Sequence, residues 1–330
     1  MKIFLTSASS DKVYQHERLR ELWMLSSQKH SLCQQAEEAD LVLLSDISGP
    51  NWFEDLRKNE NIIDPSKCFV VADGDIPMPL LHGIYTSNNK RLKFQSRFRT
   101  GAYNLFPKEV HNPFVAQCTG KSYSSPKFFF YSFVGQDSSP LRLQLFQRKS
   151  SRNDVLVANS TSYFNAHSRK EDHLPQQQKY CEIMTASKFA LCPKGTSGAS
   201  IRLFEVMKMG VAPVIISDDW ILPRGPKWDE FAVIVKEKDL DQLDEILEQR
   251  EKDYVDMGKK AHEAYQTFFA DEVYFDYVID QILDIQQHQK IPERLFWSLR
   301  NMIVRYWMQQ RQWRFFKKKF YDSQSASILY

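Results

Sequence analysis

The sequence predicts an α/β protein with two domains, each built on a parallel sheet, and a helical extension at the C-terminal end. Its 330 residues are more than one hydrophobic core usually serves, so two domains of about 120 to 170 residues each are expected. Short apolar runs alternate with helix-compatible stretches, and this alternation stops and restarts once along the chain. We therefore expect a cleft between the two domains.

The first domain is predicted from three apolar runs, at residues 2–6, 40–45 and 68–72. A polar stretch that suits a helix lies around residues 11–38, between the first two runs. The third run ends at a turn sequence, Asp73-Gly74-Asp75. Residues 107–126 are rich in Pro, Gly, Ser and Thr, which suits a connection, and we place the end of a Rossmann-like first domain at residue 122.

The second domain repeats this plan over residues 123–290. Its predicted strands are residues 127–134, 154–157, 189–191, 211–216 and 232–235, and its predicted helices begin at Leu141 and cover 175–187, 199–209 and 239–250. Gly210 is the expected C-terminal stop of the helix at 199–209. A helical run at 253–288 could cross back onto the first domain, and residues 291–330 are predicted to form a basic, aromatic helical tail.

Composition favours an ordinary globular protein. The 44 Lys and Arg nearly balance the 41 Asp and Glu, and 42% of the residues are hydrophobic, which excludes a disordered or fibrous chain. The five cysteines are scattered without a Cys-x-x-Cys pair, so a reducing compartment is the simpler interpretation. The start MKIFLTSASS turns polar too early for a signal peptide or a spanning helix. We expect a cytoplasmic protein, or one that lies peripherally on the inner face of a membrane.

A candidate phosphate-binding loop follows the predicted strand at 189–191. In parallel α/β sheets, ligands bind beyond the carboxyl ends of the strands, where helix N-termini favour anions. The loop KGTSGAS at 194–200 combines glycines that allow close backbone approach with hydroxyls and a cation. Its candidate donor-binding residues are Lys194, Gly195, Thr196, Ser197 and Ser200. The order of a Walker motif is absent.

Arg202 and Glu205 lie three residues apart on the following helix and therefore share a face. The arginine would pair with phosphate oxygens, and the carboxylate would accept hydrogen bonds from two ribose hydroxyls. The alternative is a simple ion pair between the two side chains that stabilises the helix.

The segment SKFALCPKGTSGASIRLFEVMKMGVAPVIISDDWILP, residues 187–223, resembles the signature segment of the exostosin family of glycosyltransferases. The order of features carries the resemblance: Cys-Pro-Lys-Gly, then Ser-x-Arg-x-x-Glu, then a Gly-Val-Ala-Pro strand and Ser-Asp-Asp-Trp. Weaker similarities lie at residues 39–42 and at Phe133-Val134-Gly135 followed by Arg142.

This resemblance implies the GT-B fold, in which two Rossmann-like domains face each other, with a nucleotide-sugar donor in the second domain and an acceptor in the first. It also implies chemistry without an obligatory divalent metal or another cofactor. Asp73 and Asp75 have an Asp-x-Asp spacing, which leaves a metal-using alternative open although they fall in the first domain. Animal exostosins carry a membrane anchor and often a second catalytic domain, and the sequence shows neither, so a bacterial surface-polysaccharide role fits better.

The proposed reaction needs cations at the leaving diphosphate and a base at the acceptor hydroxyl. Lys194 and Arg142 suit the first task, although Arg142 also suits a plain helix surface. Asp73 and Asp75 follow a strand of the opposite domain and are candidate bases, with His82 behind them, although a turn alone explains Asp-Gly-Asp. Asp218 follows the strand at 211–216 and could contact the donor beside Trp220, or cap a turn beside a buried Trp220.

The tail at 294–321 holds eight Lys or Arg and no Asp or Glu. Leu295, Leu299, Met302 and Tyr306 fall on one helical stripe within it. The pattern is typical of a helix that lies on an anionic membrane surface, where the acceptor could be a lipid-linked glycan. The alternative is a terminal helix packed on the protein itself, and nucleic acid binding fits less well.

Together these features predict a glycosyltransferase that moves a sugar from a nucleotide diphosphate sugar, with UDP favoured, to a glycan or lipid-linked glycan. The resemblance implies inversion at the anomeric carbon. Two alternatives stay open at this point: a GDP-sugar enzyme like the fucosyltransferases, and a non-catalytic module that binds a nucleotide or sugar.

Overall fold

The computed structural model describes residues 1–9, 14–47, 52–75, 80–108, 111–162, 173–306 and 309, and two parallel sheets form its framework. The strands of the first sheet are β1 Lys2–Ser7, β2 Ser31–Leu32, β3 Leu41–Ser45, β4 Cys68–Ala72, β5 Gly83–Tyr85 and β6 Phe98–Arg99. They lie in the order β2-β1-β3-β4-β5-β6, and every neighbouring pair is parallel. Helices α1 Tyr14–Leu25 and α2 Trp52–Lys58 connect strands of this sheet.

The second sheet contains β7 Phe129–Gly135, β8 Val155–Asn159, β9 Ser187–Pro193, β10 Ala212–Ile216 and β11 Val233–Val235. These strands are also parallel, in the order β11-β10-β9-β7-β8. The helices of this half are α3 Pro113–Gln117, α4 Pro140–Gln147, α5 Leu174–Thr185, α6 Ile201–Met209, α7 Trp228–Phe231 and α8 Leu243–Glu248. The expected α/β class, with two domains that are each built on a parallel sheet, is confirmed.

The predicted helical run at 253–288 is two helices, α9 Tyr254–Phe268 and α10 Asp271–His288. Helix α9 packs on α6 and β10 of the second domain, whereas α10 packs on α1 and β5 of the first. The chain thus returns to the first sheet through α10. Buried side chains of α10, including Tyr274, Phe275 and Ile282, belong to a hydrophobic core that both domains share.

Helix α6 shows how local sequence produces the element that carries the candidate site. Ser200 precedes its first turn in an extended conformation, and Gly210 ends it at a φ of 80°, the left-handed conformation that glycine adopts readily. Between these ends, Leu203, Val206 and Met207 are buried against the second sheet and the shared core. The helix position relative to the sheet is thus fixed by packing along its whole length.

A second connection joins the domains beside the cleft. Asn89 forms an antiparallel bridge with Trp220, and the backbone N–H of Lys90 donates to the carbonyl of Asp219 at 2.8 Å. Helix α3 lies before residue 122 in the chain but packs on α5 and α6 of the second domain.

The last helix, α11 Glu293–Ser298, continues after Leu299 into a further helical turn over 300–306. Of the predicted tail, residues 307, 308 and 310–330 lie outside the described residues. Within the described part of the chain, we find no helix long and apolar enough to cross a membrane.

Candidate functional site

The carboxyl ends of neighbouring strands meet at one edge of the second sheet. Pro193 at the end of β9 pairs with Ile216 at the end of β10, and Gly135 ends β7 between β9 and β8. The loop at 194–200 leaves this edge and leads into the N-terminus of α6. Because the first N–H groups of a helix have no partner within the helix, this position favours an anion.

Three buried side-chain atoms near this edge have no hydrogen-bond partner among the residues that the structure describes. They are Ser200 Oγ, Arg202 Nε and Ser217 Oγ. Each of these residues is at most 9% exposed. Since buried polar groups in folded proteins are almost always satisfied, their position at strand ends and at the start of a helix points to a polar ligand.

Two arginines lie close to the Phe133 ring in this region. The guanidinium carbon is 5.4 Å from the ring centroid for Arg142 and 4.5 Å for Arg202. Arg142 donates to the backbone carbonyls of Lys194, Pro193 and Gln136, each at 3.2 Å. Arg202 donates to the carbonyl of Val134.

These two cations repel each other. Burial lowers the pKa of Arg142 to about 9, and the charge of Arg202 contributes in the same direction. Neither guanidinium forms an ion pair with a carboxylate in the described residues. Two neighbouring cations without a bonded anion are the environment in which a diphosphate would be stabilised.

Lys194 differs from the two arginines because it already has an anionic partner. Its Nζ donates to both carboxylate oxygens of Glu237, at 2.5 and 2.6 Å. Glu237 also accepts from the backbone N–H of Asp218 at 3.0 Å, and its own N–H donates to the Asp218 carboxylate at 3.1 Å. Glu237 was not among the residues predicted from the sequence, where its only signal was its position two residues after a predicted strand.

The middle of the loop approaches both the arginine and the first domain. A Cβ added at Gly195 would lie 3.1 Å from Arg142 Nη2, so the glycine allows Arg142 to lie close to the loop. The expected approach of this backbone to a phosphate stays a prediction. Thr196 is exposed. The Ser197 hydroxyl lies 3.3 Å from that of Tyr103, a first-domain residue that the sequence analysis also missed.

Glu205 and Arg202 do not pair with each other, and Tyr180 contacts both. The Tyr180 hydroxyl donates to a Glu205 carboxylate oxygen at 2.7 Å, and its ring centroid is 5.7 Å from the Arg202 guanidinium. The alternative of a simple helix-stabilising ion pair is therefore not what the structure shows. No local pattern around Tyr180 would have revealed this contact.

A cavity of about 270 Å³ lies beside Glu205, between α6 and the first domain. Its lining from α6 includes Ile201, Phe204 and Glu205, and the facing residues include Tyr103 and Asn104. The cavity and the 194–200 loop are adjacent because Tyr103 contacts Ser197 and also lines the cavity.

Asp73 and Asp75 follow β4 at the carboxyl edge of the first sheet, but their environments differ. Asp73 is buried and accepts from the Thr86 hydroxyl at 2.7 Å and from the Leu105 N–H at 2.6 Å. Burial raises its pKa to about 7 despite these bonds. Asp75 is exposed, and its charge acts against the lowering of the pKa of Arg142.

The structure does not bring His82 to this edge. His82 precedes β5 and therefore lies at the opposite, amino edge of the first sheet. Its ring stacks on that of Phe69 with the two centroids 3.7 Å apart, and Nδ1 lies 2.6 Å from the side-chain oxygen of Gln289. Burial lowers the pKa of His82. The expectation that it reaches the cleft as a base fails because β5, a strand of three residues, was not predicted from the sequence.

Trp220 is also placed differently from one of its two expected positions. It is 4% exposed, and its indole N–H donates to the carbonyl of Thr86 at 2.9 Å. It therefore fills the contact between the domains and presents no free face to a sugar ring. The neighbouring Asp218 is exposed, and its carboxylate caps the backbone of Glu237.

The Exostosin GT47 domain profile matches residues 85–250, half of the chain. The chain belongs to the exostosin GT47 family. The resemblance predicted from residues 187–223 is thereby confirmed. Among the described residues of this exostosin chain, no group of three His, Cys, Asp or Glu side chains is arranged to hold a metal ion.

Curated relatives of this exostosin chain are similar to it over short segments. An exostosin-1 homolog of Caenorhabditis elegans is 31% identical over 124 residues, which cover 34% of this chain and 32% of that protein. A probable glucuronosyltransferase, GUT1, of Oryza sativa subsp. japonica is 47% identical over 72 residues, or 21% of this chain and 17% of that protein. The matched segments thus span about a third or less of these relatives.

Solved structures resemble the chain over most of its length at low identity. MurG of Acinetobacter baumannii is 10% identical, with a TM-score of 0.38 over 86% of this chain and 99% of that one. An alpha-glucosyltransferase in complex with UDP and a 13-mer DNA is 11% identical, with a TM-score of 0.42 over 87% of this chain and 98% of that one.

Proposed function

We propose that this exostosin GT47 chain is a glycosyltransferase that moves a sugar from a nucleotide diphosphate sugar, with UDP favoured, to a glycan or lipid-linked glycan. The observation that carries the proposal is the pair Arg142 and Arg202, which lacks a bonded carboxylate in the described residues and lies beside the N-terminus of α6. Two guanidinium groups and the free N–H groups of a helix match the oxygens of a diphosphate.

The diphosphate is the leaving group of the reaction, and its charge grows as the bond to the sugar breaks. Arg142 is preorganised for this task because three backbone carbonyls hold its guanidinium in place. Ser200 and Arg202 supply donors that are unpartnered in the described residues. Stabilisation by fixed cations and N–H groups makes a divalent metal or other cofactor unnecessary in this proposal.

The nucleoside fits the cavity beside Glu205. A carboxylate there can accept hydrogen bonds from both ribose hydroxyls, and Tyr180 orients it from the opposite side. The cavity volume of about 270 Å³ is near the lower end of the range typical of small-molecule sites.

Asp75 is the stronger candidate base, and Asp73 is better suited to positioning. The Asp75 carboxylate is exposed at the carboxyl edge of the first sheet and could accept the proton of an acceptor hydroxyl as that oxygen bonds to the anomeric carbon. Attack from the first domain while the diphosphate leaves toward the second gives inversion. Asp73 instead holds the Leu105 backbone and the Thr86 hydroxyl.

The acceptor is proposed to be a glycan or lipid-linked glycan in surface-polysaccharide or glycoconjugate synthesis. A cytoplasmic enzyme that used a lipid-linked acceptor would work at the inner face of a membrane. The basic and aromatic residues 294–321 are proposed to contact that surface. Nucleic acid is not proposed as a partner.

The test is release of UDP from UDP-sugars by the purified protein in the presence of oligosaccharide acceptors. UDP-glucuronic acid would be tried first, because several relatives are named probable glucuronosyltransferases. Acceptor-dependent release that Asp75→Asn abolishes, while UDP still binds, supports the proposal. Unchanged release by the variant would remove Asp75 from the role of base.

Two other outcomes identify the alternatives. Competition by GDP but not by UDP would indicate a GDP-sugar enzyme like the fucosyltransferases. Tight UDP binding without release from any donor would indicate a non-catalytic module that binds a nucleotide or sugar.

A further inference from the structure

The end of the described chain presents an apolar stripe to its surroundings. Leu295, Leu299, Met302 and Tyr306 are spaced by four, three and four residues along α11 and the helical turn that follows it. Side chains at this spacing share one face of a helix. Each of the four is between 41% and 60% exposed, which is unusual for neighbouring large apolar side chains on a folded protein.

The opposite face of the same segment is packed on the first domain. Phe296 and Val304 are 7% and 6% exposed. Val304 and Trp297 pack in a hydrophobic core cluster of the first domain. The centroids of the Phe296 and Phe94 rings lie 5.1 Å apart. The stripe therefore points away from the protein because the other face is already occupied.

A buried ionic cluster fixes this orientation. Glu293 is 2% exposed, and its carboxylate accepts from the Arg97 guanidinium at 2.9 and 2.5 Å. The same carboxylate accepts from the backbone N–H of His82 at 3.0 Å and from the Gln289 side chain at 2.8 Å. Breaking a buried, hydrogen-bonded ion pair is unfavourable, so the start of the helix is held rigidly on the first domain.

Charge indicates what the stripe meets. Arg294, Arg300 and Arg305 lie among its apolar residues, and five further Lys or Arg follow before residue 321 without one Asp or Glu. Arg294 already pairs with Asp64 at 2.7 Å, whereas the sequence between the stripe and residue 321 adds positive charge and aromatic groups without an Asp or Glu. Apolar side chains flanked by arginines complement a surface that is apolar inside and anionic outside.

We propose that this stripe docks on an anionic lipid bilayer, with Leu295, Leu299, Met302 and Tyr306 at the boundary between headgroups and acyl chains. The docking rests on the proposed function only for its biological role, which is to bring the cleft to a lipid-linked acceptor. The docking itself requires neither the donor nor turnover.

The experiment is sedimentation of the full chain with vesicles of phosphatidylcholine, alone or mixed with phosphatidylglycerol. We expect the protein to sediment with the mixed vesicles and much less with phosphatidylcholine alone. The double variant Leu299→Ser and Met302→Ser should bind the mixed vesicles at least about tenfold more weakly, because two apolar side chains leave the bilayer. Arg305→Glu should have a smaller effect in the same direction.

The matched control is Phe128→Ser with Ile234→Ser, which removes two exposed apolar side chains at 71% and 53% exposure outside the tail. Its sedimentation should equal that of the unaltered protein. All variants should keep the unaltered melting temperature and the same upward shift with UDP, so that loss of docking is separated from loss of the donor site.

Three results would overturn the inference. These are absence of sedimentation with the mixed vesicles, equal sedimentation of the stripe variant, and an equal loss in the control pair. A dimer in solution that the stripe variant abolishes, with no vesicle binding, would assign the stripe to a second copy of the chain instead.

Discussion

Tyr180 determines how Glu205 is presented, although it lies on a different helix. Its hydroxyl donates to Glu205 at 2.7 Å, in a region where burial raises the pKa of the phenol well above its ordinary range. The carboxylate is thus oriented before any ligand arrives. Such preorganisation lowers the free-energy cost of binding.

Tyr180→Phe should weaken UDP binding by about 1 to 2 kcal/mol, because a hydrogen bond to a charged group is lost while the ring remains. The measurement is calorimetric titration with UDP. Tyr277→Phe is the matched control, since it also removes a tyrosine hydrogen bond, to the carbonyl of Arg224, but lies on α10. Equal affinities for Tyr180→Phe and the unaltered protein would show that Glu205 needs no such support.

Asp73 makes the stability of the first domain depend on pH. Burial raises its pKa from the ordinary 3.8 to about 7, whereas the bonds from Thr86 and Leu105 and the charge of Arg18 act in the opposite direction. Between these two values the folded protein holds a proton that the unfolded chain releases. Stability should therefore fall as the pH rises through this range.

Asp73→Asn should remove this part of the pH dependence, since an amide can still bond to Thr86 and Leu105 without a charge. From about pH 5 to pH 8 the unaltered protein should lose on the order of 2 to 3 kcal/mol more unfolding free energy than the variant. Denaturant unfolding at several pH values measures it. Parallel curves for the two proteins would mean that Asp73 is ionised throughout.

At the scale of elements, the 194–200 loop depends on close approach between Gly195 and Arg142. A Cβ at Gly195 would lie 3.1 Å from both Arg142 Nη2 and Ser138 Oγ. These are the ends of side chains, which can shift, so the fold can tolerate the added group. If Arg142 shifts, however, its guanidinium leaves the position in which it is proposed to contact the diphosphate.

Gly195→Ala should therefore reduce UDP affinity by about tenfold or more while the melting temperature changes little. Gly74→Ala is the control, because its added Cβ meets nothing within 4 Å. Fluorescence or calorimetric titration of both variants would measure the difference. A large loss of stability in Gly195→Ala with unaltered affinity would make the glycine a folding requirement only.

The elements around the loop were predictable because their signals are local. An apolar run predicted strand β9, a helical period predicted helix α6, and a glycine after that period predicted the end of α6 at Gly210. The strands β2 and β6, of two residues each, carry no such period. The break between α9 and α10 contains neither Gly nor Pro, and there Phe269 is fully buried in the shared core.

The site was predictable only in part, for a related physical reason. The sequence predicted the loop, Arg142, Arg202 and Glu205 as candidate site residues because they stand in a recognisable order next to strand ends. It missed Tyr180 and Tyr103, which reach the site from distant parts of the chain. It also gave no indication that Glu237 forms an ion pair with Lys194, since the two residues follow two different strands.

At the scale of the whole molecule, the two domains are joined more strongly than by one linker. Helix α10 contributes to the shared core, the Tyr274 hydroxyl accepts from the N–H of Ala102 at 2.9 Å, and Lys90 bonds to the backbone of Asp219. Neither domain can unfold without exposing part of this common core.

The protein should therefore melt in one cooperative transition, and UDP should raise the temperature of that single transition. Differential scanning calorimetry with and without UDP measures it. Two separate transitions, of which UDP shifts only one, would show that the domains unfold independently despite these contacts.

The edge formed by β7, β9 and α6 is proposed to bind a nucleotide diphosphate, and calorimetric titration measures that binding. UDP and uridine would be titrated into the unaltered protein, into Arg202→Gln and into Arg57→Gln, a control on the exposed surface of α2. We predict that UDP binds at least about tenfold more tightly than uridine, and that Arg202→Gln alone removes this difference. Equal binding of UDP and uridine, or an unaltered difference in Arg202→Gln, would contradict the account.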